Sequence, residues 1–182
     1  MLGGQERAHE QGADLAAGDG AIGYTGPGEA AVKSFQDPDA LREVNDRLGR
    51  LRPDSPRQWG KMSPHQAVCH LSDALSAVMG ERQVQPVDNW FSRTVIRWVA
   101  LHTPLQWPHG VKAPRGIDQV AGEGTPPAEF ERDRDRLAAL HERFIATIRS
   151  GQKHAIFGPI QREEWLIWGY RHADHHLRQF GC

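Results

Sequence analysis

The sequence contains few cysteines, no long apolar run and no surplus of charge of either sign. Its two cysteines are too few for a disulfide framework, and no CxxC motif of a metal or redox site is present. Because no stretch of 18 or more uncharged apolar residues occurs, the sequence predicts no membrane-spanning segment. The formal net charge of -1 excludes a global basic field that would attract nucleic acid or an anionic membrane.

The N-terminal region lacks both a secretory signal and a helical apolar period. Because it does not have the basic and then apolar layout of such a signal, we expect a soluble, cytoplasmic protein. Residues 1–32 are rich in glycine, alanine and glutamate and have no sustained apolar period, which predicts a flexible tail. We expect residues 33–182 to form a single domain that is long enough to bury a substantial core.

Four segments of this domain repeat apolar residues at the spacing of a helix. The second has the clearest start, because Ser63 can cap it, Pro64 fits the first helical position and Gln66 completes a capping box. No segment shows the alternation of a strand. We therefore predict an all-α fold, a four-helix bundle with one long crossover. The helices are expected from Asp37 to Pro53, from Ser63 to Gly80, from Ala128 to Ser150, and from just after Gly158-Pro159 to Gly181.

The crossover, residues 81–126, contains prolines and glycines that rule out long regular structure. Within it, residues 89–101 have the pattern of a short amphipathic helix, with Phe91, Val95, Trp98 and Leu101 on one side. A connection of this length in a compact domain usually covers a site or forms a functional flap.

The histidines of the last predicted helix have the spacing of a metal site. His172 and His176 lie about 40° apart on one face, which is how one helix presents two imidazoles to one ion. His175 lies about 60° to the other side of His172, so the geometry also permits an i,i+3 pair. A third ligand would come from His70, and three neutral nitrogens leave positions open for water or substrate. The alternative is that these are surface or hydrogen-bonded core histidines.

Four further side chains are candidates for orienting the ligands or lining the pocket. Trp165 and Gln179 lie within about 20° of His172 around the helix axis. Trp165 would form an aromatic wall, and Gln179 would supply an amide. Asp73 lies one turn after the histidine of the second helix, where a carboxylate can orient a ligating imidazole. We interpret His175 as a solvated or ligand-supporting histidine. No catalytic residue is identified.

Several motifs together resemble the DinB-like superfamily, and most of all one of its branches of unknown function. The resemblance covers about residues 35–181, and the final histidine-rich motif is its most specific part. The motifs are Trp59-Gly60-Lys61-Met62-Ser63 followed by His70, Phe157-Gly158-Pro159, Glu164-Trp165, and His172-Ala173-Asp174-His175-His176-Leu177-Arg178-Gln179-Phe180-Gly181.

The resemblance implies a four-helix bundle with a divalent metal held by three histidines, one on the second helix and an i,i+4 pair on the fourth. On this chain those positions are His70, His172 and His176, which favours His176 over His175. The expected ion is Zn, Ni, Mn or Fe. Characterised members include transferases and isomerases that use low-molecular-weight thiols, and others are called metal-dependent hydrolases. Members are often dimers, so a homodimer is expected by analogy.

We therefore expect a metal-dependent enzyme with a small-molecule substrate, in which the ion activates a small thiol (a transferase) or water (a hydrolase). One alternative is a non-catalytic bundle that binds a metal or small ligand, for instance in a stress response. Another is a structural bundle whose histidines merely lie near the core.

Removing residues 1–32 should leave the domain folded, because this segment has no apolar stripe that could be buried against it. A chain that begins at Lys33 should melt within a few degrees of the full-length protein in a thermal unfolding experiment. A large loss of stability would show instead that the segment packs into the core.

Overall fold

The computed structural model describes residues 32–182, so the tail expected at residues 1–32 lies almost entirely outside the described residues. Within the described part the fold is mostly helical, as the sequence predicts, with one small antiparallel sheet. No helix in this part is long and apolar enough to cross a membrane. The elements are α1 (Pro38–Arg50), α2 (Pro64–Val78), a π-helical turn (Ser92–Ile96) that leads into α3 (Arg97–His102), α4 (Phe130–Thr147), β1 (Lys153–His154), β2 (Gly158–Pro159) and α5 (Arg162–Arg178).

Local sequence signals determine where the helices begin. The Ser63 hydroxyl accepts from the Gln66 N–H at 3.1 Å, and the Gln66 side chain accepts from the Ser63 N–H at 2.9 Å. These two bonds confirm the predicted capping box. Asp37 caps α1 as expected, by accepting from a backbone N–H of its first turn. A second capping box, between Gln161 and Glu164, starts α5 and was not predicted.

The four long helices share one hydrophobic core. α2 packs against α4 and α1 packs against α5, and contacts of α1 with α4 and of α2 with α5 complete the arrangement. Gly169 permits a close approach, because a Cβ atom there would lie 2.7 Å from Cε1 of Phe144. Almost fully buried core side chains include Val44, Val68, Leu137, Phe144, Ile148, Ile160, Trp165 and Leu177.

The unpredicted sheet is a short hairpin just before α5. Lys153 pairs with Pro159, and His154 pairs with Gly158. The His154 ring closes the turn, because its Nδ1 accepts from the backbone N–H groups of Ile156 and Phe157 at 3.1 and 3.2 Å. Strands of two residues are too short to show an alternating pattern, which explains why the sequence did not reveal them.

The crossover contains the short helix predicted over residues 89–101, as the π-helical turn and α3. Leu101 is fully buried and fixes this helix to the core. In contrast, Phe91, Val95 and Trp98 are all exposed. The apolar side of the predicted helix is therefore largely not part of the core.

Glu164 ties α3 to the start of α5. Its carboxylate accepts from Arg97 at 2.8 and 2.5 Å and contacts His102 Nε2 at 3.1 Å. Burial opposes ionisation of this carboxyl, but the hydrogen bonds from Arg97 and from the Gln161 backbone outweigh it and lower the pKa of Glu164 to about 2. The carboxylate is thus ionised at neutral pH and holds the crossover in place.

Asp73 of α2 holds the far end of the crossover. Oδ1 accepts from the Arg82 guanidinium at 2.9 Å and from the Thr125 hydroxyl at 2.6 Å. Oδ2 accepts from the Thr125 N–H at 2.7 Å and from the Gln119 amide at 3.2 Å. One buried carboxylate thereby joins three positions of the crossover to α2.

Asp73→Ala should destabilise the protein by about 3 kcal/mol, because a partly buried arginine, a buried amide and a backbone N–H lose their common acceptor. Chemical denaturation at neutral pH measures the effect. Asp46→Ala is the matched control, since Asp46 is exposed on α1, and it should change stability by less than about 0.5 kcal/mol. Equal effects of the two substitutions would contradict this role of Asp73.

Candidate metal centre

Three histidines meet between α2 and α5. His70 comes from the middle of α2, and His172 and His176 come from successive turns of α5. One ring nitrogen of each lies within 4.8 Å of the others, and the Nε2 atoms of His70 and His172 are 3.2 Å apart. The i,i+4 spacing and the distant His70 thus occupy one place, as the sequence predicts.

His70 is oriented by the crossover. Its Nδ1 lies 2.9 Å from the carbonyl oxygen of Ile117. Because a carbonyl oxygen can only accept, Nδ1 carries the proton, and Nε2 of the neutral ring then presents a lone pair to His172. A backbone carbonyl is a usual partner for the outer nitrogen of a ligating imidazole.

His176 is oriented by Gln179 in an equivalent way. The Gln179 amide nitrogen donates to the carbonyl of Trp59 at 2.9 Å, which fixes its amide oxygen toward His176 Nδ1 at 3.0 Å. His176 Nδ1 therefore donates and its Nε2 presents a lone pair. Gly60, with a positive φ of 78°, lets the loop approach, since a Cβ there would lie 2.6 Å from the Gln179 amide nitrogen.

The surroundings of the three histidines favour their neutral form. Burial lowers the pKa of His70, and it lowers the pKa of His172 and His176 well below the ordinary value. Mutual repulsion between the rings adds to the shift at His172 and His176. Neutral imidazoles with converging nitrogens are the donor set that a divalent transition metal requires.

Two of the four supporting candidates lie elsewhere than expected. Asp73 makes its hydrogen bonds to the crossover, and Ile117 takes the place next to His70 that was expected for this carboxylate. Trp165 is fully buried in the core and does not line the cavity in front of the histidines. The aromatic wall is Trp168, whose ring centroid lies 5.0 Å from that of His172. Its i−4 position on the same helical face could have identified it.

His175 lies beside the three histidines in an aromatic cluster. Its ring centroid is 5.0 Å from that of His176 and 5.8 Å from that of Trp59, which in turn stacks on His109 at 4.0 Å. Its Nδ1 is buried without a hydrogen-bond partner among the described residues. Burial and the charge of Arg178 lower the pKa of His175 to about 4. His175 lines the cavity but is not part of the converging group.

A cavity of about 1510 Å³ opens in front of the histidines. Its inner end is formed by His70, His172 and His176, with Trp107 and Trp168 beside them. The crossover forms most of its opposite wall. The long connection therefore lies over the site, as its length suggested.

A second cluster lies between α2 and α4, away from this cavity. A ligand atom from each of His65, Cys69 and Asp133 lies within 4.8 Å of the others. His65 is partly buried and bonds Asp133 at 2.8 Å. Cys69 is buried, and burial raises its pKa to about 11, so it remains a thiol. Asp133 also accepts from the Ala128 N–H, and the cluster links the two helices.

The metal-free protein should lose stability as the pH falls from about 7.5 to about 5.5. The lowered folded-state pKa values keep the three histidines neutral, whereas in the unfolded chain they take up protons near pH 6.5. Each of the three histidines should lower the free energy of unfolding by about 1 kcal/mol over this pH interval. Chemical denaturation in a chelating buffer measures the slope, and His172→Gln should make it shallower. An unfolding free energy independent of pH would contradict buried neutral imidazoles.

Comparison with known proteins identifies the family but no characterised relative. Residues 33–181 match the family described as "Protein of unknown function (DUF1569)". Neither the curated proteins nor the solved structures gave a match. The matched segment includes α1 to α5, the α-helices of the described residues, and the three converging histidines. Because the match spans most of the chain, this protein belongs to the DUF1569 family.

Proposed function

We propose that this protein is a DinB-like metal-dependent enzyme whose His70, His172 and His176 hold one divalent transition metal. The observation that carries the proposal is the convergence of three neutral imidazole nitrogens at the inner end of a large cavity. Surface or core histidines with only a packing role would not need two separate hydrogen bonds that turn their free nitrogens toward one point.

The arrangement of the helices supports the DinB-like part of the proposal. We take α1, α2, α4 and α5 as the four helices of the bundle, with α3 inside the long crossover. One ligand then comes from the second bundle helix and an i,i+4 pair from the fourth. This is the distribution that the superfamily resemblance implies.

When bound, the ion would lower the pKa of a thiol or water placed on it, which is the chemistry that a thiol transferase or a hydrolase needs. The residues of this chain have the supporting tasks. Ile117 and Gln179 keep the free nitrogens of His70 and His176 pointed inward. Trp107 and Trp168 flank His172 and exclude bulk water from that side of the site.

A non-catalytic binding protein is the second candidate, and one observation favours it. Among the described residues lining the cavity, both carboxylates are engaged: Asp88 pairs with Arg93, and Asp118 accepts from the Val120 and Ala121 N–H groups. No acid of this part of the chain hydrogen-bonds any of the three histidines. Turnover with small thiols and electrophiles, or with esters and amides, distinguishes an enzyme from a binding module.

The full-length protein should take up about one divalent ion per chain after metal removal and reconstitution with Zn, Ni, Mn or Fe. His172→Ala should greatly reduce uptake, because two nitrogens hold an ion poorly. Elemental analysis after dialysis gives the stoichiometry. Cys69→Ser tests whether the cluster of His65, Cys69 and Asp133 also binds metal, and the variant should still take up about one ion per chain. Uptake by the wild-type protein no greater than that of a triple-alanine variant of the three histidines would disprove the site.

His176 should matter more for metal affinity than its neighbour His175. Gln179 turns the His176 ring toward His70, at a centroid distance of 4.9 Å, whereas His175 lies among the aromatic rings. His176→Ala should weaken binding by more than the roughly 10- to 100-fold expected for Gln179→Leu, which removes only the orienting bond. His175→Ala should have the smallest effect. Metal titrations compare the three variants, and a larger loss for His175→Ala would reverse the assignment.

A further inference from the structure

Most of the large apolar side chains that are exposed in the described part of the protein line this cavity. Ten such side chains are exposed in residues 32–182, and seven of them line this cavity. Phe91, Val95, Ile96 and Val99 come from the π-helical turn and α3, and the others lie further along the crossover. A grouped apolar surface of this kind marks a binding site, whereas isolated exposed residues do not.

The charged residues around the cavity are unevenly distributed. The carboxylates of Asp88 and Asp118 are engaged within the protein. Lys61, Lys112 and Lys153 also line the cavity, and none of the three forms an ion pair with the described residues. The lining of the cavity therefore combines apolar side chains with positive charge that the described part of the chain does not neutralise.

The cavity is larger than a small thiol would fill. Sites that bury a drug-sized ligand have volumes of roughly 300–1,000 Å³, and this cavity measures about 1510 Å³. A low-molecular-weight thiol at the histidines would leave Phe91 and Val95 in contact with water. The cavity therefore has room for a larger ligand that covers these apolar side chains.

We infer that the substrate is an organic anion with a bulky apolar body, comparable to a fatty acid. Its apolar part would lie along the wall formed by Phe91, Val95, Ile96 and Val99, and its negative group would meet the lysines. The inference deepens the proposed function by naming its substrate class. It depends on that proposal only for the ligand being a substrate, because the binding surface itself does not include the metal.

Calorimetric titration of the full-length protein with dodecanoate, below its micelle concentration, tests the inference. Dodecanol and dodecyltrimethylammonium have the same chain with a neutral or positive head, and dodecanoate should bind at least about tenfold more tightly than either. Affinity should rise about fourfold per added methylene in a series of fatty acids until the cavity is filled. Absence of saturable binding, or equal binding of all three head groups, would overturn the inference.

Two neighbouring residues of α3 supply a matched pair of variants. Val99 lines the cavity, whereas Trp98 is 61% exposed and does not. Val99→Asp should weaken dodecanoate binding about tenfold or more, since it places a negative charge on the apolar wall, and Trp98→Asp should change it less than about twofold. Lys112→Glu should also weaken dodecanoate binding. Arg50→Glu should not, because Arg50 is an exposed residue at the end of α1, outside the cavity lining. Equal effects within either pair would contradict the assigned surface.

Two further measurements separate this inference from its alternatives. Metal-free and metal-loaded protein should both bind dodecanoate, so failure of metal uptake with intact binding would disprove only the proposed function. Metal uptake without dodecanoate binding would disprove only the substrate class. Binding to anionic phospholipid vesicles without binding to monomeric dodecanoate would show that the apolar surface contacts a membrane and would overturn the inference.

Discussion

The hydrogen bonds on the outer nitrogens of His70 and His176 are the constraint on which the rest of the site depends. Ile117, which holds His70, belongs to the crossover, and the Trp59 carbonyl, which fixes Gln179, belongs to the loop before α2. Neither group is on the helices that carry the histidines. The converging nitrogens therefore exist only when both connections are docked, so the candidate site depends on the tertiary fold as well as on helix spacing.

The same arrangement has an energetic cost. Three imidazoles lie close together, and burial lowers the pKa of each, with repulsion between the rings adding to the shift at His172 and His176. His172 makes its only ring hydrogen bond among the described residues to His70, so the metal-free group satisfies few of its own polar atoms. A bound cation would use these lone pairs and remove the penalty. Binding sites commonly retain such local destabilisation for function.

The sequence predicted the features that depend on local chemistry and missed those that depend on distant partners. The capping box at Ser63 and the i,i+4 histidines follow from residues within one helical turn, and both predictions agree with the structure. Trp165 and Trp168 lie on nearly the same face of α5. Trp165 is two helical turns from His172, and at that depth the core buries its side chain completely. Asp73 was misassigned because Arg82 and Thr125, its partners, are distant in sequence.

The crossover separates two tasks within one chain. The long helices hold the nitrogens, whereas the crossover, with its prolines and irregular backbone, presents Val95 and Val99 to the cavity without adding them to the core. Because these side chains stabilise the fold little, substitutions there can change which molecule reaches the histidines at small cost in stability. Ile117 is the exception, since its carbonyl holds His70. Through this hydrogen bond the crossover, which lines the cavity, is joined directly to one of the three converging histidines.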